Sequence, residues 1–126
     1  MSRGKNYHNY VIKDGKFIGA FEEMYQNVED PWHQTNVDTV PYEITLYLLK
    51  KYGICQNGGK VLDVGCGLGV FTAKLKEIMP KAEITATDVS PTAIKKAKSR
   101  FEHLGIDFSV MDIQVTHKKY QLTCMT

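Results

Sequence analysis

Val61-Leu62-Asp63-Val64-Gly65-Cys66-Gly67-Leu68-Gly69 carries three glycines at alternate positions, after an apolar run and before a helical stripe. Glycines there let the chain turn where side chains would clash. They also let a ligand approach the N–H groups exposed at a helix start. Asp88 stands nineteen residues beyond Gly69, at the end of a second apolar run. On an open parallel sheet an acid at that distance lies where ribose hydroxyls sit. A carboxylate only accepts, so it takes hydrogen bonds from two neighbouring hydroxyls. Asp112 ends a third run, where a carboxylate suits an exocyclic amino group of adenine. The dinucleotide fingerprint G-x-G-x-x-G/A does not fit, because the third glycine comes one residue early and Val70 follows it. Asp63, Asp88 and Asp112 together repel a pyrophosphate and tolerate an ammonium or a sulfonium. The ligand best matched is a cationic adenosine compound.

These residues need strands that end in one place. Lys60 to Val64 reads as a buried parallel strand between Gly58-Gly59 and Gly65. Phe71, Leu75 and Ile78 form a helical stripe that Pro80 ends. Ala82 to Thr87 reads as a second strand. Ser90-Pro91 supplies an N-cap and a proline at the first helical position. Ile94, Ala97, Phe101 and Leu104 give a second stripe, closed by Gly105, and Ile106 to Met111 a third strand. This is a βαβαβ unit with right-handed crossovers. Tyr120 to Met125 begins a fourth strand. Upstream, Asp14-Gly15 between Tyr10–Lys13 and Lys16–Ile18 suits a type I′ hairpin. Residues 20–27 make two helical turns with Phe21, Met24 and Tyr25 on one face. After a loop at 28–38, Thr39-Val40-Pro41 opens a helix whose apolar stripe reads Ile44, Tyr47, Leu48, Leu49 and Tyr52, capped by Gly53. The division expected is an arm or lid segment at 1–38 and a partial ligand-binding domain at 39–126.

Composition narrows the function classes. Of 126 residues, 43% are apolar and 24% charged, which is ordinary for one globular domain. Sixteen Lys and Arg face fourteen Asp and Glu, a net charge of +2, so bulk electrostatic capture of nucleic acid is not favoured. No apolar run approaches the roughly 18 residues of a membrane helix, and no secretory signal opens the chain. Cys55, Cys66 and Cys124 lack metal-ligand spacing; reduced thiols in the cytoplasm and no metal site are expected.

The stretch from Val61 to Ile113 resembles the cofactor half of a class I S-adenosylmethionine-dependent methyltransferase. The family's first motif, an apolar pair, an acid, an apolar residue and G-x-G-x-G, is met at Leu62, Asp63, Val64, Gly65, Gly67 and Gly69. The resemblance implies an α/β, Rossmann-like parallel sheet with flanking helices, in the strand order 3-2-1-4-5-7-6, here truncated after strand 3 or 4. It implies S-adenosylmethionine as cofactor, held at its methionine part by Asp63 and the Gly65-Cys66-Gly67-Gly69 loop. It places the ribose on Asp88 and the adenine among Val89, Asp112 and Ile113. Glu29-Asp30-Pro31-Trp32 and Tyr42-Glu43 also resemble the segment before this motif in nodulation-type small-molecule methyltransferases. A small-molecule acceptor is expected, and no catalytic residue is assigned.

Competing readings stand beside these. The glycines could only make a tight turn, and Asp63 could only orient loop amides. Cys66 fits the loop as a small polarizable side chain without chemistry. Tyr25, Trp32 and Tyr42 form either a lid that shields a sulfonium or a packed helix pair. His103 lies on an exposed helix side, and of the four histidines only His33 is placed near a pocket. Lys95, Lys96, Lys98 and Arg100 read as a solvated face. The alternatives in function are a non-catalytic cofactor-binding fragment, a subunit of a split methyltransferase, and a dinucleotide oxidoreductase domain. Because only Tyr120 to Met125 can cover one side of the first strand, a longer enzyme, a second copy or a partner chain completing the sheet is also expected.

Overall fold

The computed structural model describes residues 8–17, 19–31, 40–112 and 122–125. In chain order the elements are α1 (His8–Val11), β1 (Ile12–Lys13), β2 (Lys16–Phe17), α2 (Phe21–Asn27), α3 (Val40–Lys51), β3 (Lys60–Val64), α4 (Val70–Ile78), β4 (Glu83–Asp88), α5 (Pro91–Phe101), β5 (Asp107–Val110) and β6 (Leu122–Met125). The hairpin forms about Asp14 and Gly15, both at positive φ as a type I′ turn needs. It is shorter than expected, because Tyr10 and Val11 are helical.

The main sheet has the order β5-β4-β3-β6, and all three pairings are parallel. Val61 to Val64 pair with Ile84 to Thr87 on one side and with Leu122 to Met125 on the other. β3 is therefore a central strand. The expectation of association through a bare β3 edge loses its premise, since β6 supplies the missing ladder.

α4 and α5 bury their stripes on the sheet. Phe71 and Leu75 from α4, Ile94 and Ala97 from α5, and Val61, Ile84, Ala86, Ile106 and Phe108 share one core. Each large apolar side chain so buried contributes about 1.5–3 kcal/mol. Leu104 lies outside this core, 37% exposed, in a short 3-10 turn that Gly105 ends at φ 80°.

α3 corrects one expectation. Ile44, Tyr47, Leu48 and Tyr52 are exposed, and of the expected stripe only Leu49 is buried. The helix instead turns Tyr42, Leu46 and Leu49 to the core, a spacing of four and three. Tyr42 decides the rotation by stacking on Phe71, with ring centroids 4.6 Å apart. Both stripes satisfy helical periodicity; only one meets α4.

A second cluster joins the N-terminal elements to the sheet domain. Tyr10, Met24 and Tyr25 pack with Leu68 of the glycine loop and Ala93 of α5. Lys96 takes part in this docking: its Nζ donates to the Tyr25 carbonyl at 2.6 Å. It therefore leaves the solvated face expected for its charge run, where Lys95, Lys98 and Arg100 are exposed.

Candidate functional site

The parallel strands end together, and the loop after β3 folds onto the end of β4. The amides of Gly65 and Cys66 both donate to the Thr87 carbonyl, at 2.8 and 2.9 Å. The Gly67 amide donates to Asp88 Oδ2 at 3.0 Å, and the Ser90 amide to Asp88 Oδ1 at 3.0 Å. Met111 N–H reaches the Asp88 carbonyl at 3.1 Å, which brings the chain leading to exposed Asp112 alongside. Asp88 is thus the junction of the glycine loop, the start of α5 and the end of β5.

Asp88 is only 8% exposed. Burial pushes its carboxyl above the usual range, against the backbone N–H bonds from Ser90, Gly67 and Val89, and the negative charge of Glu22 adds to the rise. A carboxylate offers about four acceptor sites, and the three backbone amides engage three of them. An outside donor therefore meets an under-solvated carboxylate with acceptor capacity in hand. Val89 is 53% and Val110 51% exposed, so apolar surface stands at the same sheet end. The pairing has the chemistry to take hydroxyls on the carboxylate and a flat apolar group on the valines.

The three glycines do different work. Gly65 and Gly67 adopt φ of 74° and 55°, a left-handed backbone that glycine takes without strain, and it turns their amides onto Thr87 and Asp88. Gly69 answers mainly to packing. At φ 79° its added Cβ would lie 3.0 Å from Phe108 Cε1 and 3.2 Å from Ala97 Cβ. Asp63 is fully buried, and Thr72 Oγ1 in the first turn of α4 donates to its Oδ2 at 2.6 Å. It ties β3 to α4 beneath the loop.

Cys66 is 1% exposed. Burial first, then the charges of Asp63 and Asp88, push its thiol far above the ordinary cysteine range. A thiol that does not ionise is not a nucleophile. Iodoacetamide at neutral pH is expected to alkylate the half-buried Cys55 before Cys66 in the folded protein, read by peptide mass spectrometry; equal rates would contradict the buried setting.

Of the aromatic residues expected over the site, Tyr25 is 2% exposed and packs on Leu68, while Tyr42 lies in the α3–α4 contact. Both are packing residues in this arrangement. Trp32, Ile113, His33 and His117 lie outside the described residues. An open cavity of about 470 Å³ between Glu29-Asp30 and Lys96, Ser99 and Arg100 shares Leu68 with the loop but is not lined by Asp63, Asp88 or Val89.

One contributor has no signal in the sequence. Glu22 of α2 reaches the first turn of α5, accepting from Ser90 Oγ at 2.8 Å, from the Thr92 amide at 3.0 and 3.2 Å, and from Thr92 Oγ1. Burial raises its carboxyl, but the bonds from Thr92 and Ser90 outweigh it and hold the group below the usual range. The two acids then act oppositely on stability. Glu22 stabilises the fold above its unfolded pKa, and this is lost as pH falls through the lowered folded value. Asp88 binds its proton more tightly folded than unfolded, so its ionisation removes stability as pH rises from the unfolded to the raised folded value. In melting curves from pH 3 to 7, Asp88→Asn is expected to remove the second slope and Glu22→Gln the first.

Comparison with known proteins follows this geometry. The family model described as "Methyltransferase domain" matches residues 61–124. A malonyl-[acyl-carrier protein] O-methyltransferase of Acetivibrio thermocellus is 41% identical over 64 residues, covering 49% of this chain and 23% of that protein. Ribosomal RNA small subunit methyltransferase C of Salmonella choleraesuis is 32% identical over 109 residues, covering 76% of this chain and 32% of that protein. Among solved structures, the plantazolicin methyltransferase BpumL in complex with SAH superposes with a TM-score of 0.57 at 24% identity, over 74% of this chain and 38% of that one. The chain spans about a fifth to a third of the length of these curated relatives.

Proposed function

Because the chain belongs to the class I S-adenosylmethionine-dependent methyltransferase family, we propose that its glycine loop and strand ends hold S-adenosylmethionine and serve methyl transfer. The observation that carries this is the Asp88 junction, a buried carboxylate bonded to the glycine loop beside exposed valines. In this reading the Gly65-Cys66-Gly67 turn lies against the methionine part, Asp88 accepts from the ribose hydroxyls, and Val89 with Asp112 and Ile113 frames the adenine. Asp63 acts through Thr72 by holding the loop's base. The cofactor supplies an activated methyl group whose leaving thioether is neutral and needs no proton. The chain's own task is alignment and exclusion of water. A general base is needed only for an acidic or protonated acceptor, and none is assigned.

We place the acceptor among small molecules. A net charge of +2 gives weak capture of a phosphate backbone, and the malonyl-[acyl-carrier protein] relative is the more identical of the two named. The likeness to an rRNA methyltransferase over 76% of this chain favours RNA as the second reading. A binding module without its own acceptor site is the third. Calorimetry with S-adenosylhomocysteine is expected to show one site; a folded sample giving no heat at millimolar ligand would overturn the cofactor reading. Transfer of labelled methyl to amine, phenol or carboxylic-acid pools supports a small acceptor. RNA binding that weakens steeply with salt supports the second reading instead, and tight cofactor binding with no labelled acceptor supports the third.

A further inference from the structure

The N-terminal helix α2 reaches the candidate site through one carboxylate. Glu22 bonds Ser90 Oγ and both the amide and hydroxyl of Thr92. Ser90 Oγ in turn accepts from the Ala93 amide at 3.0 Å, as the N-cap of α5. The Ser90 amide donates to Asp88 Oδ1, and Asp88 Oδ2 accepts from Gly67. A continuous relay thus runs from Glu22 through Ser90 to Asp88 and on to the glycine loop. A carboxylate held on one oxygen by Ser90 and on the other by Gly67, with a further bond from the Val89 amide, has its plane set in part by where Ser90 stands. Glu22 fixes where Ser90 stands by closing the orphan donors of the α5 N-terminus.

We propose that Glu22 is a positioning residue, orienting Asp88 through Ser90 so that its carboxylate meets the cofactor's ribose hydroxyls. The inference rests on the cofactor reading above, and α2 becomes part of the binding apparatus. Lys96 supplies the control. Its bond to the Tyr25 carbonyl is a second tie between α2 and α5 that does not touch the turn from Asp88 to Thr92. If Glu22 served only to dock α2, loss of either tie would have the same effect.

The test compares the wild-type chain, Glu22→Ala, Glu22→Gln and Lys96→Met with two readouts. The first needs no ligand: hydrogen exchange at the Gly67 amide. Glu22→Ala is expected to speed it about tenfold by loosening its Asp88 acceptor, as loss of a hydrogen bond to a charged group would, and Lys96→Met to leave it unchanged. The second is the ratio of affinities for S-adenosylhomocysteine and its 2′-deoxy analogue by calorimetry. Glu22→Ala is expected to shrink that preference about tenfold, Glu22→Gln to shrink it less, and Lys96→Met to keep it. Should the alanine variant not fold, the glutamine variant carries the comparison. Unchanged exchange and unchanged preference in a folded Glu22 variant would overturn the proposal, as would an equal loss in Lys96→Met. Wild-type protein that binds neither ligand would overturn the cofactor reading and the ribose role with it. Faster Gly67 exchange in Glu22→Ala would then mark the relay as structural only.

Discussion

Gly69→Ala is expected to destabilise the fold by about 2–5 kcal/mol. A left-handed backbone costs an L-residue about 1–2 kcal/mol, and Gly69 stands at φ 79°. The added methyl would also press on the Phe108 ring and Ala97, both buried in the core, and overpacking adds about 1–3 kcal/mol. For a domain of this size the melting temperature should fall by roughly 10 °C. Gly105→Ala separates the two causes. Gly105 has φ 80° with nothing within 4 Å of an added Cβ, so only the backbone cost of about 1–2 kcal/mol applies. Equal losses at both positions would show that conformation alone makes Gly69 necessary. The third glycine of the motif would then have no special tie to the helix and strand packed above it.

Asp88→Ala should weaken S-adenosylhomocysteine binding by about 1–3 kcal/mol, the worth of hydrogen bonds to a charged group. The same substitution leaves the Gly67 and Ser90 amides without their acceptor. An unsatisfied buried donor costs about 1–3 kcal/mol, so a drop in melting temperature should accompany the loss of affinity. Asp88→Asn separates binding from folding. Its one carbonyl oxygen keeps a partner for one amide, and the neutral side chain avoids the burial that penalises the carboxylate. It is expected to be more stable than the alanine variant while still binding more weakly than wild type. Calorimetry and thermal melts on the three proteins read both effects. A folded Asp88→Ala protein with undiminished affinity would remove Asp88 from the site.

Much of the architecture was legible because it is encoded over short distances. The apolar run Val61 to Val64, the stripe Phe71-Leu75-Ile78, the Ser90-Pro91 cap and the glycines Gly53 and Gly105 act within one or two turns. Their strand and helix assignments follow from periodicity and backbone chemistry, and all of them form. The order β5-β4-β3-β6 is the 3-2-1-4 part of the strand order that the family resemblance implies. The ordered set of Gly65, Gly67, Gly69 and Asp88 located the candidate site for the same reason: its spacing is the length of one strand-helix-strand unit.

Tertiary contacts decided what periodicity leaves degenerate. α3 has two apolar stripes of helical period, and the one that carries Tyr42, stacked on Phe71, with Leu46 and Leu49 meets the core. Asp63 and Asp88 read alike as acids near strand ends. Yet the side chains of successive strand residues point to opposite faces, and a carboxylate facing a helix finds Thr72 while one at the strand's last position meets the glycine loop. Gly69 reads like Gly65 and Gly67, but its packing constraint comes from Ala97 and Phe108, far along the chain. Glu22 contacts residues about seventy positions away, and no local pattern records such a pairing. The sequence by itself determined the elements, their order and the loop where a nucleoside would sit. The folded chain decided which carboxylate bonds Thr72, which bonds the glycine loop, and which distant acid meets the start of the following helix, because those choices depend on contacts made only when the elements meet.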